Sequence, residues 1–111
     1  MAYTSTKVDG VDTLPASEYN NLITHVFRDV MTKTGNYTAS AGDIILGNGT
    51  ITITMPASHS SGDLINIKNI SSNTVTIAGN GSTMDGDISY TMQFQYESVA
   101  LISDGSNWHL I

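Results

Sequence analysis

Residues 44–77 read IILGNGTITITMPASHSSGDLINIKNISSNTVTI, and three runs inside this stretch alternate with a period of two. Ile51, Ile53 and Met55 are separated by Thr52 and Thr54, with Thr50 leading the run. Ile65, Ile67 and Ile70 are spaced by Asn66, Lys68 and Asn69, with one slip at the end. Val75 and Ile77 alternate with Thr74 and Thr76. Successive side chains of a strand point to opposite faces, so this pattern predicts strands with one dry and one wet face, built from β-branched residues that suit a pleated surface. The wet face is Thr, Asn and Ser with almost no charge.

The same grammar continues outward. Tyr37 to Ala39 reads as a short first strand, Gly42-Asp43 turns it into Ile44–Leu46, and Gly47-Asn48-Gly49 is a tight-turn signal into Thr50–Met55. Pro56 ends that strand because it cannot donate to a ladder. Leu64–Ile70 and Thr74–Ala78 follow, and residues 79–87, GNGSTMDGD, are the most turn-rich segment. Ile88, Tyr90, Met92, Phe94 and Tyr96 alternate and are expected on one buried strand face. Val99–Ile102 is expected to be buried on both faces as a central strand, and Trp108–Ile111 to finish the sheet after the turn at Asp104-Gly105. The expectation for 36–111 is a mainly β module, a 7–8-stranded antiparallel sandwich, roll or small barrel, with no exact internal repeat.

Before this module the periodicity changes. Tyr19, Leu22, Ile23, Val26, Phe27, Val30 and Met31 fall at helical spacing, with Asn20, Asn21, Thr24, His25, Arg28 and Asp29 opposite. Pro15 suits a first turn, Ser17 an N-cap, and Gly35 a C-terminal stop, so an amphipathic helix is expected over 15–34. Its stripe is expected to cover the chain's own sheet, to meet sister helices about a threefold axis, or both. Residues 1–14 are polar, carry the turn signal Asp9-Gly10, and read as an extended arm.

Composition narrows the function. At 111 residues the chain is expected to be one domain with a modest aliphatic core. Only 13% of residues are charged and the net charge is -6, and after Gly35 the sole Lys or Arg is Lys68. Phosphate neutralisation needs clustered Lys and Arg, which excludes nucleic-acid binding. With no cysteine, disulfides, zinc ribbons and thiol catalysis are excluded. The N-terminus lacks a signal-peptide pattern and no apolar run has membrane-spanning length, so no membrane partner is expected.

No chemical constellation stands out. His25, His59 and His109 share no metal-ligand spacing and read as surface residues, so no metal or cofactor is expected. Asp85-Gly86-Asp87 resembles half of a calcium loop without its closing Glu, and reads as a turn. No serine lies in a nucleophile elbow, the Gly-Asn-Gly segments do not open helices, and no catalytic residue is assigned. The sequons at Asn36, Asn48, Asn69 and Asn80 follow from an Asn/Ser/Thr-rich composition. Among the aromatics, Tyr90, Phe94 and Tyr96 read as core, whereas Trp108, with Asp85 and Asp87, is the candidate for surface recognition.

The segments T-I-T-M-P (52–56), G-D-L-I-N-I-K-N-I (62–70), N-T-V-T-I (73–77), M-D-G (84–86) and S-V-A-L-I-S-D-G-S-N-W-H-L-I (98–111), preceded by L-P-A-S-E-Y-N-N-L (14–22), together resemble a β-module of bacteriophage virion structural proteins. The resemblance implies a β-structured, homotrimeric virion component with no active site: a capsid-decoration protein, a head fibre or a tail-fibre segment. Read as complete from Met1, the chain is short for a tail fibre, which favours a decoration protein or head spike on the virion surface. Its expected partners are copies of itself and the major capsid protein or another virion protein, reached through the N-terminal region. A tail-fibre, receptor-binding or carbohydrate-binding module is the alternative.

Overall fold

The computed structural model describes residues 29–111, which form nine strands in two sheets. In chain order they are β1 (Val30–Lys33), β2 (Tyr37–Thr38), β3 (Ile44–Gly47), β4 (Ile51–Thr54), β5 (Leu64–Asn69), β6 (Val75–Ala78), β7 (Ser89–Met92), β8 (Ser98–Ser103) and β9 (Trp108–Leu110). One sheet has the order β1-β3-β5-β8-β9 and the other β2-β4-β6-β7. The chain therefore steps from one sheet to the other with each of its first six strands. Within each sheet these strands lie parallel, β1 to β3 to β5 and β2 to β4 to β6. This is a coiled, solenoid-like path in which each turn contributes one strand to each layer. The path then reverses: β7 runs antiparallel to β6, β8 to β5 and β9 to β8.

The mainly β expectation holds and the antiparallel one does not, because the sheets are mixed. Parallel neighbours need crossovers, and here the opposite sheet supplies them. The expected strands from Tyr37 to Ala78 are all present within a residue or two. Two other expectations are corrected. Val30 to Lys33, read as the last turn of the 15–34 helix, form β1, in register with Ile44 to Gly47. Val30 and Met31 are thus strand residues; Val30 is 60% exposed and Met31 packs against the core. Tyr19, Leu22, Ile23, Val26 and Phe27, like the 1–14 arm, lie outside the described residues. The second correction concerns β7, which stops at Met92 and leaves Phe94 and Tyr96 in the following turn.

The core lies between the layers. In one sheet Ile45 and Ile67 are paired neighbours, as are Ile65 and Leu101. In the other, Ile53–Ile77–Tyr90 and Ile51–Val75–Met92 form two cross-strand rows. Met55, Met84 and Trp108 fill the remaining interior. On the outer face of the second sheet Thr52, Thr76 and Thr91 stand opposite one another, the wet face that the alternation predicts. The first sheet's outer face is more apolar: Ile44, Leu46, Leu64, Ala100 and Ile102 are all half-buried.

Two equivalent turns set the pitch of the coil. Ser40-Ala41-Gly42-Asp43 and Ser60-Ser61-Gly62-Asp63 have the same wiring: the Asp carboxylate accepts the Ser backbone N–H at 2.8 Å in both, and the Asp N–H donates to the Ser carbonyl at 3.1 and 3.0 Å. Gly42 and Gly62 adopt φ of 88° and 93°, a region open to glycine. Their N–H groups donate across to the next turn of chain, Gly42 to the Leu64 carbonyl and Gly62 to that of Ser103, each at 2.8 Å.

The two ends of the coil differ. At the C-terminal end, the Trp108 N–H donates to the Thr83 carbonyl at 2.8 Å and the Asp85 N–H to the Trp108 carbonyl at 3.1 Å, which covers the start of the β9 edge, while β7 is the edge strand of the other sheet. At the other end β1 and β2 are the outermost strands, with nothing paired beyond them among the described residues.

Candidate functional site

Polar side chains converge in two places, and a mainly apolar groove lies apart from them. The first is the capped end. The His59 ring lies 4.6 Å from the Trp108 ring, centroid to centroid, and reaches two buried hydroxyls. Its Nδ1 meets Ser103 Oγ, and its Nε2 is 2.8 Å from Ser82 Oγ. The Gly105 N–H donates to Ser103 Oγ as well, so the ring, both hydroxyls and the β8–β9 turn form one hydrogen-bonded network. His59 was expected at the surface; it is instead half-buried and ties the 57–63 loop to the 79–87 loop and the end of β8. Ser103 is 3% exposed, so its hydroxyl cannot meet a substrate, and the cluster acts as a staple.

Outside the staple are Asp85, Asp104 and His109. His109 Nε2 is 2.8 Å from Asp104 Oδ2, and its Nδ1 is 3.8 Å from Asp85 Oδ1. Asp104 also accepts the backbone N–H groups of Asn107 and Ser106, and these bonds, with His109, hold its carboxyl well below the usual carboxylate range. Asp85 and Gly86, at φ of 49° and 90°, form the two-residue tip of a tight hairpin between Met84 and Asp87, so the Asp-Gly-Asp segment is the turn its sequence suggested. Among the described residues no group of three or more His, Asp or Glu is placed to hold a metal ion.

Trp108 is fully buried, which removes it from the surface-recognition set of Trp108, Asp85 and Asp87; the two aspartates are exposed. The aromatics have exchanged roles. Phe94 is 72% exposed and Tyr96 63%, although both read as core. Their turn is well supported. The Glu97 N–H donates to the Phe94 carbonyl at 3.1 Å, and the Glu97 carboxylate accepts the Phe94 N–H at 3.3 Å and the Tyr90 hydroxyl at 2.8 Å. That hydrogen bond, with burial, raises the pKa of Tyr90. Tyr96 has φ of 68°, a left-handed conformation normally left to glycine or asparagine at this position of a turn.

Beneath this turn lies the most fully bonded polar residue of the interior. Asn69, at 0% exposure, accepts from the Ser71 N–H and hydroxyl, both at 2.9 Å. Its amide donates to the carbonyls of Asn73 at 2.7 Å and Met92 at 3.1 Å. The third feature is a groove of about 300 Å³ on the outer face of the first sheet, lined by Ile44, Leu46, Asn66, Lys68, Ser98 and Ala100.

The sequence did hold signals for some of what was missed. Ser-x-Gly-Asp followed by Ile or Leu occurs at 40–44 and again at 60–64, and it marks the coil repeat. Glu97, within reach of the strand it follows, marks the end of the Ile88–Tyr96 alternation. Protein-family models and curated proteins were both searched for similarity to this chain, and neither search finds a match.

Proposed function

We propose that this chain is a non-enzymatic structural component of a bacteriophage virion, a homotrimeric capsid-decoration or head-spike protein attached to the capsid through its N-terminal region. The observation that carries the self-association is the set of open sheet edges at β1, β2 and β7. At the C-terminal end the Thr83–Asp85 segment covers only the start of β9 and β7 is an edge strand, and at the other end β1 and β2 have no strand partner on their outer edges among the described residues. Repeat folds need both ends covered, and bare edges invite pairing with other chains. A closed ring of copies is the economical way to cover them.

Three further features support a coat role. The first sheet's outer face carries Ile44, Leu46, Leu64, Ala100 and Ile102, with Lys68 as its one Lys or Arg among the described residues. The second sheet's outer face is threonine and serine, which allows many copies to stand close without charge repulsion. The resemblance noted from the sequence points the same way. Attachment is tested by deleting residues 1–14 and measuring occupancy on capsids. Loss of particle binding with an unchanged β-sheet circular dichroism spectrum is expected; undiminished occupancy contradicts it.

A further inference from the structure

We propose that the turn between β7 and β8 is a carbohydrate-binding site in which Phe94 and Tyr96 stack on the apolar face of a sugar ring. The inference rests on the conformation of this turn and does not depend on where the protein sits or how many copies associate.

Exposure is the first observation. Two aromatic side chains in one short turn stand in solvent while the interior is filled by aliphatic residues and Trp108. Strain is the second. The hydrogen bond from Glu97 N–H to the Phe94 carbonyl closes a turn whose third residue is Tyr96, at φ of 68°. That position favours glycine, and a side chain there costs on the order of 1–3 kcal/mol. A bulky ring held outward at a strained position gains nothing from core packing, so its benefit must lie in contact with something else.

Rigidity is the third observation. The Glu97 carboxylate fixes the turn from two sides, through the Phe94 N–H and the Tyr90 hydroxyl. The Gln95 amide donates to the Ile70 carbonyl at 3.3 Å and joins this turn to the neighbouring one. A turn whose backbone is already fixed loses little freedom when its side chains bind a ligand. Lys68 Nζ lies 5.7 Å from the centre of the Tyr96 ring, which supports the ring electrostatically and supplies one donor at the edge of the site.

The surroundings select the ligand class. Gln93 and Ser98 flank the turn and Ser72 and Asn73 belong to the neighbouring turn that Gln95 reaches, all four exposed amides or hydroxyls, and Lys68 is the one cation at these rings among the described residues. Neutral donors and acceptors beside aromatic faces match a sugar, which offers C–H faces and hydroxyl edges; a phosphate ligand needs more positive charge. Two side chains also fall far short of the ~800 Å² per partner that a stable protein interface buries.

The test is a printed array of bacterial O-polysaccharides, capsular polysaccharides and host oligosaccharides, probed with the full chain, with calorimetric titration of whichever glycan binds. Phe94→Ala and Tyr96→Gly are each expected to weaken binding at least tenfold. Tyr96→Gly should also melt at the same or a higher temperature than the parent, because glycine relieves the strained φ, so lost binding is not lost folding. Three results each overturn the proposal: no glycan bound on the array, binding retained by both variants, or a fall in solution mass on Phe94→Ala, which assigns the rings to a contact between copies.

Discussion

Replacing Asn69 by alanine is the most severe single polar change the structure offers. Its side chain makes four hydrogen bonds at 0% exposure, two as acceptor to Ser71 and two as donor to the carbonyls of Asn73 and Met92. Asn73 is exposed and can turn to water, but Ser71 and Met92 are buried. Each buried group left without a partner costs about 1–3 kcal/mol, so Asn69→Ala is expected to lose about 3–5 kcal/mol. A domain of this size holds roughly 5–15 kcal/mol in total, so the change removes a large share of it. In a thermal melt, the corresponding drop is roughly 12 °C or more. Urea unfolding at fixed protomer concentration is the second assay, since association shifts apparent stability. Asn69→Asp should suffer as well, because a carboxylate cannot donate to Asn73 and Met92. A loss below about 1 kcal/mol for Asn69→Ala would refute the assignment of Asn69 as the bond that holds the 69–73 turn to the sheet.

Other perturbations follow from the same geometry. A Cβ on Gly79 would lie 2.0 Å from the Ser82 carbonyl oxygen, so Gly79→Ala must open the 79–82 turn and is expected to cost about 2–4 kcal/mol in urea unfolding; a neutral result contradicts this close approach. His59→Ala removes the stacking on Trp108 and strands the Ser82 and Ser103 hydroxyls, for an expected loss of about 2–4 kcal/mol by the same assay. The Tyr37 phenol is pushed up, first by burial and then by its hydrogen bond to Asp43, and that of Tyr90, first by its bond to Glu97. A raised folded pKa contributes stability that is complete below the unfolded value near ~10 and is lost as pH rises through the folded value. Stability is therefore expected to fall above about pH 10, and the fall should be shallower in Tyr37→Phe and Tyr90→Phe.

How far the sequence led depended on the range of the interactions. The strands from Ile44 to Ala78 were legible because alternation is local and each Thr-Ile step declares a face. Their parallel pairing was not, since Ile51 carries no mark that its neighbour is Val75 rather than a hairpin partner. The 30–33 segment shows the same limit. Val30 and Met31 fit the helical spacing of the stripe before them, but pairing with Ile44 and Ile45 decides their state. Tertiary context overrides local propensity there. The aromatics misled for a related reason. Alternation through Phe94 and Tyr96 is real, yet Glu97 closes a turn and points both rings outward, while Trp108 beside the polar His109 is drawn into the core and covered by His59. Of the surface set, Asp85 and Asp87 are exposed and Trp108 is not.

The proposed role depends on association, and the most direct measurement is the mass of the purified full-length chain in solution, by light scattering or sedimentation at low micromolar concentration. Three times the chain mass, persisting on dilution, is the predicted result. A well-folded species at the single-chain mass, unchanged at high concentration, would contradict it.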